Sequence, residues 1–196
     1  KEEAKPVPLQ IEKVFNGKKY PLFQKEWHNL LVFGDNLQIL KTFNENKDPL
    51  VKNKIKDKVK LIYIDPPFGT GDEYDGGKGQ SAYSAKKKGA DFVEFLRRRL
   101  ILLREILSDD GFIYLRMDFH FGHYAKLLLD EVFGKENFLN EIIINRTNKQ
   151  WEGVNRFNSA TDSLFLYSKT QNYVFNTLYR QRQKETKWIN AHSPGI

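Results

Sequence analysis

The stretch Leu61-Ile62-Tyr63-Ile64-Asp65-Pro66-Pro67-Phe68 indicates most clearly how this chain folds. Four consecutive apolar residues are typical of a parallel strand that is buried on both faces of a sheet. Proline lacks the N–H that a strand ladder needs, so the two prolines end the strand. We therefore predict a strand over residues 61–64 with a rigid acidic corner at its carboxyl end.

The sequence upstream of this corner predicts one strand and one helix. Leu30 to Phe33 is a short apolar run that stops at Gly34-Asp35, which is typical of a strand entering a turn. Asn36 is expected to cap the helix that follows, because asparagine is a favoured N-cap residue.

Downstream, strand-like and helix-like patterns alternate. A glycine-rich loop over residues 69–88 is followed by a helix over 91–107, with apolar residues at three- and four-residue steps. The further predicted elements are a strand over 112–115, a helix capped by Asp118 and ending near Phe133, strands over 141–145 and 163–167, and one more strand over 170–179. Strands alternating with helices predict an α/β fold built on a parallel sheet.

Composition limits the class of protein. Hydrophobic residues make up 40% and aromatic residues 14% of the 196, as in globular domains. Cysteine is absent, which excludes disulfides and any site built on thiolates. No apolar run approaches the roughly 18 residues of a membrane-spanning helix, so we expect a cytoplasmic protein without membrane contact. The net charge of +7 favours a polyanionic partner such as nucleic acid.

The acidic corner has the chemistry to bind an aromatic amine. In open parallel sheets, ligands bind beyond the carboxyl ends of the strands. The Asp65 carboxylate and the Pro66 carbonyl are two acceptors, Pro67 stiffens the corner, and Phe68 offers a flat stacking surface. Two acceptors suit the two hydrogens of a ring NH2, and accepting them returns electron density to the nitrogen. Asp35 would face the same crevice as Asp65 if the predicted strands over residues 30–33 and 61–64 are neighbours.

Several motifs resemble one known family in the same order. Residues 61–71 resemble the catalytic motif Asp/Asn/Ser-Pro-Pro-Tyr/Phe of the DNA amino-methyltransferases, together with the loop that follows it. Residues 33–40 resemble the Gly-Asp-x-Leu-x-x-Leu segment of the group, found in restriction–modification systems, whose catalytic motif precedes the cofactor glycine motif. Residues 95–111, 130–141 and 161–169 are similar to later segments of that group.

The resemblance implies a Rossmann-like, S-adenosylmethionine-dependent methyltransferase in a prokaryotic cell. The partner would be double-stranded DNA, from which the target base is flipped into the pocket. Asp65, Pro66, Pro67 and Phe68 would form the catalytic motif, with Asp65 and the Pro66 carbonyl binding the amino group and Phe68 stacking on the base. The amine would attack the sulfonium methyl directly. The family is compatible with a restriction subunit or a second methyltransferase subunit as a further partner.

The resemblance also implies particular cofactor and base contacts. Asp35 would correspond to the family position near the adenine of the cofactor, with Asn36 beside it. Because aspartate leads the motif, we expect N6 of adenine to be the methyl acceptor, with N4 of cytosine as the alternative. Lys86, Lys87 and Lys88 lie in the loop beside the predicted pocket and are candidate DNA contacts, although a solvated lysine run is the ordinary interpretation.

One family feature is missing from this sequence. The family's Phe-x-Gly-x-Gly cofactor motif is not found, and Gly77 to Ala82 matches a related pattern only by chance, without a preceding strand. The chain also lacks Met at position 1. We therefore expect an incomplete fragment: an N-terminal extension over residues 1–27 and the N-terminal, catalytic-motif part of the domain over 28–196. Weak or absent cofactor binding and no activity are expected for the fragment alone.

Other interpretations remain open at this point. A non-catalytic nucleic-acid-binding module on a decayed methyltransferase fold, or an enzyme acting on a small-molecule amine, would have a similar pattern. His120 and His123 have the spacing of metal ligands but no third ligand, so no metal site is expected. The run Arg97-Arg98-Arg99 is interpreted as a solvated helix face.

Overall fold

The computed structural model describes residues 4–13, 29–66, 73–75, 81–84, 89–146, 155, 161–177 and 179. The helices of this part are α1 (Asn36–Glu45), α2 (Ala90–Ile106) and α3 (Gly122–Phe133), followed by a 3-10 turn over Lys135–Asn137. The strands are β1 (Val59–Ile64), β2 (Glu73–Asp75), β3 (Ser81–Ser84), β4 (Leu107–Asp118), β5 (Phe138–Asn145) and β6 (Thr161–Ser168). The predicted α/β class is confirmed.

The main sheet has four strands in the order β1-β4-β6-β5. β1 and β4 are parallel, with Ile62 beside Ile113 and Ile64 beside Leu115. β6 runs antiparallel to both β4 and β5. The prediction of a parallel sheet is therefore correct for the pair of β1 and β4 and wrong for the two pairs that β6 forms, because strand direction depends on how the chain returns to the sheet rather than on the strand's own residues.

The helices pack against one face of this sheet, which we call the covered face. Alternate residues of β4 and β6 point into it, and Leu100, Ile113 and Leu115 of this region are 0% exposed. The strand residues of the covered face that belong to the buried core are Ile62, Ile113, Leu115, Met117, Phe165 and Tyr167. Because successive side chains of a strand point to opposite faces of the sheet, the residues between these point to the other face.

The opposite row forms the open face, which includes Leu61, Tyr63, Phe112, Tyr114 and Arg116. Leu61 and Tyr63 are each 57% exposed. β1 was expected to be buried on both faces, and this is wrong for the described residues because helices pack against one face only.

Two predicted strands are not formed. Residues 30–33 pair with no strand among the described residues, and Leu31 and Phe33 are 99% and 100% exposed. An apolar run forms a strand only where a neighbouring strand supplies the ladder hydrogen bonds. The described residues after β6 are not a strand either, since Thr170 donates its hydroxyl hydrogen to the backbone carbonyl of Asp109 and the chain leaves the sheet.

The glycine-rich stretch and the helix ends also differ from expectation. The stretch predicted as a loop contains an antiparallel hairpin of β2 and β3. Leu107, predicted as the last helical residue, and the segment Ser108 to Gly111, expected to stop the helix, already belong to β4. Asp118 accepts hydrogen bonds from the backbone N–H groups of His120 and Phe121, so it orders the turn before α3 rather than occupying the cap position itself.

The N-terminal segment lies against α1. The backbone N–H of Val7 donates to the hydroxyl of Thr42 at 2.9 Å, and Thr42 donates back to the Val7 carbonyl at 2.7 Å. The N–H of Leu9 donates to the Asp48 carboxylate at 2.8 Å. Hydrogen bonds between its backbone and the side chains of Thr42 and Asp48 therefore attach this segment to the domain.

Candidate active site at the carboxyl ends of β1 and β4

Asp65 follows the last residue of β1 at the rim of the sheet. Because β1 and β4 are parallel and Ile64 lies beside Leu115, Asp65 lies beside Arg116 near the carboxyl end of β4. The Asp65 side chain is 39% exposed, so its carboxylate does not point into a packed interior. Pro66, half-buried, follows it and has no N–H, so its carbonyl is the only backbone hydrogen-bonding group at that position. This is the placement that ligand sites of open α/β sheets have.

The Asp65 carboxylate has one occupied and one open oxygen. Its Oδ2 accepts a hydrogen bond from Nη1 of Arg116 at 2.9 Å. Among the described residues nothing donates to Oδ1, so this oxygen can accept a hydrogen from a ligand. A carboxylate oxygen beside a proline carbonyl is a pair of acceptors without a donor, which matches a group carrying two hydrogens, such as an aromatic amine.

Arg116 joins Asp65 to a buried carboxylate. Its Nε and Nη2 donate to Oδ2 of Asp162 at 3.0 and 2.6 Å, and the Asp162 side chain is 0% exposed. Nη1 of Arg146 donates to the other oxygen of Asp162 at 3.0 Å. The hydrogen bond to Asp162 and the charges of Asp65 and Asp162 raise the pKa of Arg116 despite its partial burial. Arg116 is therefore a permanent cation next to the predicted catalytic carboxylate.

The sequence pattern singles out Asp65 but not Arg116, Arg146 or Asp162. The one local signal is that Arg116 directly follows the buried run of β4, at the position beside Asp65. Asp65 and Arg116 are 51 residues apart, and Arg116 and Asp162 are 46 apart. Contacts over such separations follow from strand register, which the local pattern does not specify.

Asp35, predicted for cofactor binding, is the N-cap of α1. Its Oδ1 accepts hydrogen bonds from the N–H groups of Leu37 and Gln38 at 3.0 and 3.1 Å. The expectation that Asn36 caps this helix is thus wrong by one residue: Asp35 has the extended backbone of a cap, and Asn36 is the first helical residue. Both side chains remain at the surface.

Arg99 of α2 ties this helix start to the rest of the domain. Its Nε donates to Oδ1 of Asn36 at 2.7 Å, and its Nη2 lies 3.8 Å from Oδ2 of Asp35. The guanidinium also stacks on Phe95, with 3.4 Å from its central carbon to the ring centroid. At 11% exposure Arg99 is not part of a solvated face, and Arg97 pairs with Glu131 of α3. The interpretation of this arginine run as a solvated face is therefore wrong for Arg99, whereas Arg97, at 40% exposure, pairs with Glu131 at the surface.

Several predicted site residues lie outside the described part of the chain. These are Pro67, Phe68, Lys86, Lys87 and Lys88.

In the described part of the chain, His120, before α3, and His123, within α3, belong to no group of three His, Cys, Asp or Glu side chains that could hold a metal ion. Nδ1 of His120 lies 2.7 Å from Oδ2 of Asp118, and both histidines are exposed.

Comparison with protein families gives a direct result. The N6/N4 methyltransferase family model, described as DNA methylase, matches residues 59–194. This chain belongs to the N6/N4 DNA methylase family. The matched region includes the whole of the four-stranded sheet, with Asp65 and Arg116.

Curated relatives of this methylase chain come from restriction–modification systems. It is 39% identical over 141 residues to the type II methyltransferase M.EcaI of Enterobacter cloacae, covering 70% of this chain and 30% of the relative. It is 32% identical over 159 residues to the probable type III restriction-modification enzyme HindVI Mod subunit of Haemophilus influenzae, covering 79% of this chain and 19% of that protein. The chain thus spans less than a third of the length of these two relatives.

Solved structures include similar folds at low sequence identity. The M1.HpyAVI–SAM complex has a TM-score of 0.46 at 17% identity, covering 77% of this chain and 60% of that chain. The cytosine-N4-specific PvuII DNA methyltransferase has a TM-score of 0.45 at 14% identity, covering 70% of this chain and 48% of that chain.

Within the described residues, no helix is both long and apolar enough to cross a bilayer.

Proposed function

We propose that this methylase chain carries the catalytic-motif part of a site-specific DNA methyltransferase that transfers a methyl group from S-adenosylmethionine to N6 of adenine. The observation that supports this most strongly is the Asp65 carboxylate, held at the rim of β1 with Oδ1 open and the Pro66 carbonyl next to it. Residues 28–196 are proposed as the catalytic-motif part and residues 1–27 as an N-terminal extension.

Asp65 and Pro66 are proposed to activate the amino group of the flipped base. The nitrogen lone pair of adenine is drawn into the ring, so the free amine is a weak nucleophile. Accepting both amine hydrogens at fixed acceptors favours the state in which the lone pair is available on nitrogen. Such acceptors act in place before the reaction, so they need no reorganisation as positive charge develops on the amine. From sequence, Pro67 is proposed to stiffen this corner and Phe68 to stack on the base.

Asp35 and Asn36 are proposed to contribute to cofactor binding. Oδ2 of Asp35 has only a 3.8 Å ion pair with Arg99, and the Asn36 amide has its oxygen bonded while its NH2 is free among the described contacts. An acceptor beside a donor fits the hydroxyls and ring nitrogens of an adenosine moiety. When bound, S-adenosylmethionine supplies an activated methyl group on a sulfonium centre.

DNA is the proposed macromolecular substrate. The excess of basic residues would draw the phosphate backbone to the protein, and Lys86, Lys87 and Lys88 are proposed to contact it near the pocket. A relative is a Mod subunit of a type III restriction–modification enzyme, which supports a restriction subunit or a second methyltransferase subunit as a further partner.

Identification of the methylated base tests this function. The protein as the cell makes it is incubated with S-adenosylmethionine and unmethylated DNA, and the DNA is digested to nucleosides for mass spectrometry. We expect N6-methyladenine. N4-methylcytosine would contradict the choice of base while keeping the reaction class. DNA that is bound but carries no added methyl group would instead support a non-catalytic module, and methylation of a small amine alone would contradict DNA as substrate.

A further inference from the structure

Arg116 contacts two carboxylates that differ completely in exposure. Asp65 is 39% exposed at the rim of the sheet, and Asp162 is 0% exposed between β4 and β5. A buried carboxylate is stable only when it is paired and hydrogen-bonded. Arg116 satisfies this need through Nε and Nη2, which both donate to Oδ2 of Asp162.

The hydrogen bonds to Asp162 also orient the remaining nitrogen of the Arg116 guanidinium, Nη1. The guanidinium is planar and rigid, so two bonds to Asp162 determine where Nη1 points. β6 holds Asp162 beside Asp118 of β4, two residues along from the pair of Arg116 and Leu164. Nη1 is therefore placed by the strand register, and it donates to Oδ2 of Asp65 at 2.9 Å.

Charge balance indicates that Arg116 does more than neutralise Asp162. Asp162 already has a second cation, since Arg146 donates to its Oδ1. Asp162 carries one negative charge and bonds two arginines, and the remaining nitrogen of Arg116 donates to the second carboxylate, Asp65. The contact occupies Oδ2 of Asp65 and leaves Oδ1 to accept a ligand hydrogen.

We propose that Arg116 is a positioning residue for the methyl-transfer reaction, holding the Asp65 carboxylate in the one orientation that keeps Oδ1 available to the amine. This inference rests on the proposed function of Asp65. Arg116 acts through Asp65, and Asp162 serves as its fixed anchor. A free aspartate side chain would rotate among its rotamers and meet the amine in only a fraction of them.

Arginine variants in the protein as the cell makes it test this role. Arg116→Met removes the contact with Asp65. Arg116→Lys keeps a positive charge beside Asp162, but its one ammonium group lacks the planar fork with which arginine bonds Asp162 and Asp65 in fixed directions. Arg146→Met is the matched control, because it removes an arginine from Asp162 without touching Asp65. We expect both Arg116 variants to lower kcat about 10- to 100-fold, with little change in KM for DNA. We expect the Arg146→Met control to lower kcat much less than the Arg116 variants do, because Arg116 still contacts both Asp162 and Asp65 in it.

A double substitution separates positioning from a structural role. Asp65→Ser keeps a short acceptor but no carboxylate for Arg116 to hold. In that background, Arg116→Met is expected to cause no further loss of kcat, since residues that act as one unit are not additive.

Three outcomes would overturn the positioning role. They are an unchanged kcat in both Arg116 variants, an equal fall in kcat for Arg146→Met, or a full further loss in the Asp65→Ser background. If the Arg116→Met protein does not fold, the kcat of the Arg116→Lys protein tests the role instead. If instead Asp65→Ala methylates DNA at the wild-type rate, the proposed function of Asp65 fails, whatever the arginine variants do.

Discussion

The two faces of the four-stranded sheet differ in what their side chains contribute. On the covered face, Leu115 and Met117 are fully buried beneath the helices. On the open face, Leu61 is 57% exposed and Asp65 is 39% exposed, and the polar contacts of Asp65 and Arg116 lie there. Successive residues of one strand thus have two different roles. Residues of the covered face stabilise the fold, and residues of the open face carry the proposed catalytic groups at the carboxyl ends of β1 and β4.

A pair of leucine substitutions tests this difference most strongly. Leu115→Ala is expected to lower the free energy of unfolding by about 2–5 kcal/mol, since it opens a cavity among 0% exposed neighbours. Leu61→Ala removes the same atoms from the open face and is expected to cost less than about 1 kcal/mol in this chain. Urea unfolding measures both. Equal losses would mean that the open face is as well packed as the covered one.

The buried hydroxyl of Tyr167 sharpens the comparison on the covered face. It donates to the Asp130 carboxylate at 2.6 Å, and Lys126 donates to the same carboxylate at 2.8 Å. Burial raises the pKa of Asp130, but these two hydrogen bonds, together with the charges of Lys126 and Lys135, lower the pKa overall. Tyr167→Phe is therefore expected to cost about 1–3 kcal/mol of unfolding free energy at neutral pH.

The same substitution has a defined pH dependence. Because the pKa of Asp130 is lower in the folded protein, its contribution to stability is full above its unfolded pKa of about 4 and is lost as the pH falls through the folded pKa. The difference in unfolding free energy between wild type and Tyr167→Phe should therefore be constant at neutral pH and narrow below about pH 4. A difference that grows on acidification would contradict this account of Asp130.

The smallest expected effect concerns Asp35, the N-cap of α1. Asp35→Ala removes the N-cap of α1 and is expected to cost about 0.5–2 kcal/mol, whereas Asp35→Asn keeps a capping oxygen and should cost almost nothing. Thermal unfolding measures the contribution of the cap to stability, and titration of the protein as the cell makes it with S-adenosylmethionine measures the proposed cofactor role. If Asp35→Asn binds the cofactor as wild type does, the carboxylate acts only as a cap.

What the sequence predicted well depends on local patterns. The run Leu61 to Ile64 and the helix over 91–107 follow from the order of apolar residues within one element, and the structure places β1 and α2 there. The acidic corner was located at a strand end because proline cannot continue a ladder. Asp65 and Pro66 are found at that end.

What the sequence did not predict depends on partners far along the chain. Leu30 to Phe33 has a strand-like composition but no described strand to pair with, so composition alone gave the wrong structure. The contacts of Arg116 with Asp65 and Asp162 require the register of three strands. The chain has 32 lysines and arginines and 25 acidic residues, so residue type alone allows too many possible ion pairs to identify these two.

The most direct test of the account is the methylation rate after loss of the Asp65 carboxylate. Asp110 is the matched control: it is 41% exposed, it also pairs with a cation, Lys60, and it lies toward the opposite end of the sheet. Initial rates are measured with labelled S-adenosylmethionine on the protein as the cell makes it, with circular dichroism to verify folding. The account predicts that Asp65→Ala lowers kcat about 100-fold or more while Asp110→Ala keeps the wild-type rate. A folded Asp65→Ala protein that methylates DNA as fast as the Asp110→Ala protein would contradict it.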